Sequence, residues 1–112
     1  MELSTTLDGT TTVVHVNAAR IDAAAAIAFK DALREAVAQG SDDVVLDLGE
    51  VTFVDSSGLG AIVAAMKNLG HGRRLDLAGL TPDVAKVFRL TRMDTVFVIH
   101  DRIDHLSARA PG

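Results

Sequence analysis

The 112-residue chain contains no cysteine, no tryptophan and no tyrosine. Without cysteine there is no disulfide framework, no thiol nucleophile and no thiolate metal site, a pattern that fits a reducing compartment. Four phenylalanines are the only aromatics, so a chain that is 48% apolar must build its core from Val, Leu, Ile and Ala. Positive charge is also scarce: 11 Lys and Arg stand against 15 Asp and Glu, for a net charge of −4. That balance argues against a nucleic-acid binder, which normally carries a basic patch. Arg73-Arg74, Arg89 and Arg92 read as local, solvated surface charge. Long apolar runs are missing as well. Ser56 to Met66, as long as any uncharged stretch in the chain, is far too short to cross a bilayer, so no membrane insertion is expected. The start, Met1-Glu2-Leu3-Ser4, lacks the basic and apolar regions of a signal peptide. These absences lead to the expectation of a cytoplasmic protein folding as one domain over residues 1–112, a monomer when free.

What is present alternates between strand and helix patterns. Residues 2–7 and 10–17 read as two strands joined at Asp8-Gly9, a two-residue hairpin signal. Asp22 is placed to cap a helix running to about Gln39, with Gly40 as its stop. Ala26, Phe29, Leu33, Ala36 and Val37 form the buried stripe of that helix, while Ala23 and Ile27 fall off it, where packing at the edge of the core is expected ahead of exposure to a partner. Val44-Val45-Leu46-Asp47-Leu48 is apolar enough for a central strand. Gly49-Glu50 turns the chain into Val51–Val54, and a second helix follows to near Gly70. Leu75 to Ala78 is the next strand, and Thr81-Pro82-Asp83 opens a helix with Val84, Val87 and Phe88 on its inner face. Thr95 to Ile99 reads as the last strand and Arg102 to Ala108 as a last helix, capped by Asp101, with Ile103 and Leu106 turned inward. The order β-β-α-β-α-β-α-β-α implies an α/β fold with a mostly parallel sheet, an antiparallel N-terminal hairpin strand and helices packed on it.

Several enzyme chemistries fail on spacing. Gly58-Leu59-Gly60 lacks the third glycine of a dinucleotide fingerprint, and no P-loop lysine–hydroxyl pair is present. Ser56-Ser57 is not framed as a nucleophile elbow. His15, His71, His100 and His105 do not show metal-ligand spacing, and His15 reads as an ordinary strand histidine. Asp47, Asp55 and Asp76 stand near strand ends, where a paired-carboxylate site would need two of them together. No catalytic constellation, metal site or cofactor is expected.

One stretch resists this bland reading. In Val51-Thr52-Phe53-Val54-Asp55-Ser56-Ser57-Gly58-Leu59-Gly60 an apolar run meets an acid, two hydroxyls and two glycines, then restarts as a helix. Leu59, Ile62, Val63 and Met66 share one face of that helix, so the polar break sits at its N-terminus, where anions are favoured. Helix capping needs one hydroxyl or acid, whereas three stand here in a row. The glycines reduce side-chain bulk, which would let a partner's backbone approach.

This run resembles the signature of STAS domains, specifically of bacterial anti-sigma-factor antagonists. The resemblance extends to Val45-Leu46-Asp47-Leu48, to the segment near Leu75 and to the Thr81-Pro82 helix. It implies a phosphorylation switch in which Ser56, the first hydroxyl after the aspartate, is the phosphoacceptor. Asp55, Ser57, Gly58, Leu59 and Gly60 are then its neighbours and part of the partner-binding surface. The implied partner is an anti-sigma factor with ATP-dependent serine kinase activity, captured by the unphosphorylated form so that a sigma factor is freed; a serine phosphatase resets the switch. Upstream, the family's Gly-Glu-Leu-Asp-like segment reads Ala19-Arg20-Ile21-Asp22 here, so Arg20 and Asp22 also fall on the implied partner face, with a charge reversal at Arg20. The same resemblance leaves open a constitutive STAS subunit of a phospholipid-transport ABC complex, or a STAS scaffold in chemotaxis or biofilm signalling.

Overall fold

In a computed structural model of the chain, residues 2–38, 43–70 and 72–101 are described. The N-terminal hairpin pairs β1 (Leu3–Asp8) antiparallel with β2 (Thr11–Val16). Asp8 pairs with Thr11, so the two loop residues are Gly9 and Thr10, one position later than the expected Asp8-Gly9. Gly9 has φ +66°, a conformation that glycine adopts without the Cβ penalty.

Three parallel strands extend this hairpin. β4 (Asp43–Asp47) pairs with β2, β6 (Arg74–Ala78) with β4, and β7 (Ile99–His100) with β6, giving the order β1-β2-β4-β6-β7. Alternation along these strands puts Val14, Val16, Val44, Leu46, Leu75 and Leu77 into the main core. The helices α1 (Ala23–Ala38) and α2 (Ser56–Asn68) pack on each other and contribute Ala26, Phe29, Leu33, Ala61 and Ile62 to the same core. Val45 and Ala78 form a small separate cluster, as alternation to the opposite face requires. The expected architecture is therefore present: helices with a mostly parallel sheet and an antiparallel hairpin at its edge. Ala23 and Ile27 lie off the buried stripe and are exposed, which corrects the expectation of packing at the edge of the core.

Two features differ from expectation. A second, two-stranded parallel sheet joins β3 (Arg20–Ile21) to β5 (Phe53–Val54), where the sequence shows only a lead-in to the helix. Its anchor is Ala19, whose carbonyl accepts from the backbone N–H of Thr52 and Phe53 and from the Thr52 hydroxyl. The last strand is also shorter than Thr95–Ile99. After α3 (Pro82–Leu90), Arg92 takes φ +65° and Met93–Thr95 forms a 3-10 turn. The Thr95 hydroxyl and the Phe97 N–H bond back to Arg92 and Met93, which keeps the segment curled until Ile99. Phe97 still reaches the core, edge-on to Phe88 at 6.1 Å between ring centroids. The apolar alternation was real, but it serves a turn as well as a strand. The expected last helix over residues 102–108, with Ile103 and Leu106, lies outside the described residues, as do Gln39, Gly40 and the Val37 side chain.

Candidate functional site

The small β3–β5 sheet brings the starts of α1 and α2 together. Because its strands run parallel, with Arg20 opposite Phe53 and Ile21 opposite Val54, both chains leave it in the same direction and each turns into a helix. Asp22 stands before α1, and its Oδ1 accepts from the Ala25 N–H at 3.2 Å. Asp55 is the N-cap of α2, with φ −97° and ψ −174°, and its Oδ1 accepts from the Gly58 N–H at 2.9 Å. The other Asp55 oxygen, Oδ2, accepts from the Ala23 N–H at 3.1 Å. One carboxylate thus caps α2 and also satisfies a free N–H at the start of α1, where four such groups lack helical partners.

This assignment releases the two hydroxyls. Ser56 is the first residue of α2 and Ser57 the second; both are exposed, and neither hydroxyl takes part in a hydrogen bond among the described residues. Capping, which Asp55 or Ser57 could have supplied, falls to Asp55.

The glycines divide sharply. Gly58 is buried, and a Cβ built on it would fall 2.0 Å from the Ile21 carbonyl oxygen. Its missing side chain serves the close approach of α2 to β3 inside the molecule, and not the open surface expected of it. Gly60 is exposed, with nothing within 4 Å of an added Cβ, and fits the expectation of an open surface. Leu59 is half-buried and packs against the main core.

Arg20 is held on two sides. Its guanidinium carbon lies 4.1 Å from the centroid of the Phe53 ring, a cation–π stack set by the strand register. Its Nε donates to Asp22 Oδ2 at 3.3 Å. This hydrogen bond, with the Ala25 N–H and the Arg20 charge adding to it, holds the Asp22 carboxyl below the usual carboxylate range despite an opposing desolvation. Phe53 was not singled out by sequence reasoning; it reads as one apolar residue among four, and only the pairing of β5 with β3 gives it Arg20 as a partner. Ile27, one turn beyond Ala23 on α1, is 73% exposed, and Phe53 is 38% exposed.

The other candidate groups are engaged elsewhere. His15 Nδ1 lies 2.7 Å from Asp47 Oδ2 and its Nε2 3.1 Å from the Thr6 hydroxyl. Asp76, nearly buried, meets His100 Nε2 at 3.0 Å and Arg74 Nη2 at 3.1 Å. Asp47, Asp55 and Asp76 therefore have three different sets of partners. Among the described residues, no three His, Asp or Glu side chains gather in a group that could hold a metal ion, and no helix is long and apolar enough to cross a membrane. His71 and His105 lie outside the described residues.

Residues 3–106 match the family described as the STAS domain. The chain belongs to the STAS domain family. Over 85 residues, 73% of each chain, this STAS protein is 38% identical to the anti-sigma-B factor antagonist of Listeria monocytogenes. Its fold is shared by an anti-sigma factor antagonist from Mycobacterium paratuberculosis, with a TM-score of 0.85 and 24% identity over 99% of this chain and 94% of that one. The Bacillus cell fate determinant SpoIIAA in its phosphorylated form also shares it, with a TM-score of 0.69 and 19% identity over 96% and 98% of the two chains. In this STAS domain the signature run is thus a compact joint between two helix starts, with its hydroxyls on the outside.

Proposed function

We propose that this STAS domain is a phospho-switched antagonist of an anti-sigma factor, acting by binding rather than catalysis. Unphosphorylated, it captures an anti-sigma factor that is also an ATP-dependent serine kinase, and so frees a sigma factor in the cytoplasm. The kinase transfers the γ-phosphoryl group of ATP to Ser56 Oγ, with ADP leaving and the hydroxyl proton lost. Capture then ends. A serine phosphatase restores it by hydrolysing the ester.

The observation that carries this reading is the exposed Ser56 hydroxyl at the first position of α2, left free because Asp55 does the capping. The names of the Listeria relative and of the phosphorylated SpoIIAA structure support it. A phosphate adds nearly two negative charges at neutral pH. Within the domain, the free N–H groups of a helix start tolerate that charge. At an interface seated on Ser56, Gly60 and the exposed Ala23 and Ile27, the same group brings bulk, desolvation and repulsion beside Asp55 and Asp22.

The test is intact-mass measurement after incubation with a candidate kinase and ATP, paired with binding measurements. Wild type should gain the mass of one phosphoryl group, and Ser56→Ala should bind the kinase without gaining it. Ser56→Asp should bind at least tenfold more weakly. Equal binding of wild type and Ser56→Asp would sink the switch.

A further inference from the structure

We propose that Arg20 is the internal receptor for a phosphate on Ser56, giving up its bond to Asp22 in order to donate to the phosphoryl oxygens. This rests on the reading of Ser56 as the acceptor. It is carried by the cluster of Arg20, Asp22, Phe53 and Asp55 around the two helix starts.

The first argument is direction. Arg20 donates through Nε to Asp22, two residues ahead in sequence and just past the end of β3, so its side chain leans forward along the chain. β3 and β5 are parallel and Arg20 sits opposite Phe53, so forward from Arg20 is also the direction from Phe53 to Ser56. The bond from the Ala23 N–H to Asp55 closes the gap between the two chains at the point where both helices begin.

The second argument is available valence. The bond to Asp22 is long, at 3.3 Å, and it uses only Nε; the Nη groups of Arg20 make no hydrogen bond among the described residues. The Phe53 ring holds the guanidinium by its face and leaves the edge, where all its donors lie, open. A planar fork with unused donors suits a phosphate better than a single carboxylate oxygen.

The third argument is charge. Asp22 and Asp55 already place two carboxylates at the junction, and phosphorylation adds a dianion beside them. Arg20 is the cation hydrogen-bonded into this group. A guanidinium choosing between a carboxylate and a dianionic phosphate with two accessible oxygens favours the phosphate. The exchange leaves Asp22 without the partner that depresses its carboxyl most, and holds the phosphate against its own domain over the surface where a partner would dock.

The experiment uses the full chain with phosphoserine installed genetically at position 56, so that no kinase is needed. Phosphorus NMR should show the second phosphate ionisation about one unit lower in wild type than in Arg20→Gln, with Arg20→Lys between them. The carboxyl carbon of Asp22 should titrate higher in the phosphorylated than in the unphosphorylated wild type, whereas in Arg20→Gln only the part of this rise due to direct repulsion by the phosphate should remain. Amide spectra check that both variants remain folded. If the phosphate titrates identically in wild type and Arg20→Gln, the proposal is overturned. If the phosphate responds to Arg20 but no kinase ever labels Ser56, the switch reading fails and the Arg20–phosphate contact stands.

Discussion

Two helix starts in this STAS domain look alike in sequence and are used in opposite ways. α2 opens with Asp55-Ser56-Ser57 and α3 with Thr81-Pro82-Asp83, the first residue of each being the N-cap. At α2 the acid takes the capping role, and the serines that follow it are exposed, their hydroxyls making no hydrogen bond among the described residues. At α3 the hydroxyl is consumed although it caps nothing: Thr81 Oγ1 donates to the Val51 carbonyl at 2.7 Å, and Pro82 fills the first helical position. That bond ties α3 to the segment entering the α2 junction. A hydroxyl at a helix start is therefore not in itself a site. What distinguishes Ser56 is that a neighbouring carboxylate has relieved it of structural work, so it can be modified without costing the fold an interaction.

The strongest way to break this comparison is to attack the joint beneath Ser56. Gly58→Ala places a Cβ 2.0 Å from the Ile21 carbonyl oxygen, which is backbone and can yield only by moving β3 away from α2. We expect a loss of about 3 kcal/mol in urea unfolding, at the upper end for overpacking, or failure to fold. Gly60→Ala, two residues on and open on all sides, should instead gain up to about 1 kcal/mol from helix propensity. Equal effects at the two glycines would mean that α2 does not sit tightly on β3.

Asp55→Ala comes next. It removes acceptors from the Gly58 N–H and the Ala23 N–H together, and we expect a loss of about 2 kcal/mol, the upper range for one cap. The double role should show as hydrogen exchange accelerated at the starts of both α1 and α2. Exchange confined to α2 would reduce Asp55 to an ordinary cap.

The order of these effects marks how far the sequence could be read. α1 and α2 are legible from apolar stripes at helical spacing, β4 from its apolar run, and the hairpin from its turn signal. β3 has only two residues, Arg20 and Ile21, too few for any period, so the joint between the helices was invisible. In the sequence Gly58 reads as open surface, because nothing in a linear run says which backbone lies opposite. Arg20 showed itself only as a charge out of place, since its stack on Phe53 depends on a register across 33 positions. Ser56 and Asp55 were legible as a pair, but the division of labour between them needed hydrogen bonds. The curled segment before β7 defeated pattern reading for a different reason: Phe97 and Ile99 alternate as in a strand, while the local bonds of Met93 and Arg92 hold the backbone in a turn.

Thr81→Val tests the other helix start. It keeps the shape and leaves the Val51 carbonyl without its hydroxyl donor, so a loss of about 1 kcal/mol is expected, with no change in phosphoryl incorporation.

Ser56→Ala should have the smallest effect on the fold and the largest on the switch. The hydroxyl is exposed and makes no hydrogen bond among the described residues, so unfolding free energy should stay within about 0.5 kcal/mol of wild type. Phosphoryl incorporation should nevertheless disappear, whereas Ser57→Ala, equally exposed and equally neutral, should still be labelled. The pairing of the two measurements decides the matter. A Ser56→Ala variant that lost as much stability as Thr81→Val would show the hydroxyl to be structural after all, and the contrast between the two helix starts would collapse. A neutral Ser56→Ala that abolishes labelling leaves one explanation: Asp55 carries the joint, and Ser56 is held at its surface for a partner to modify.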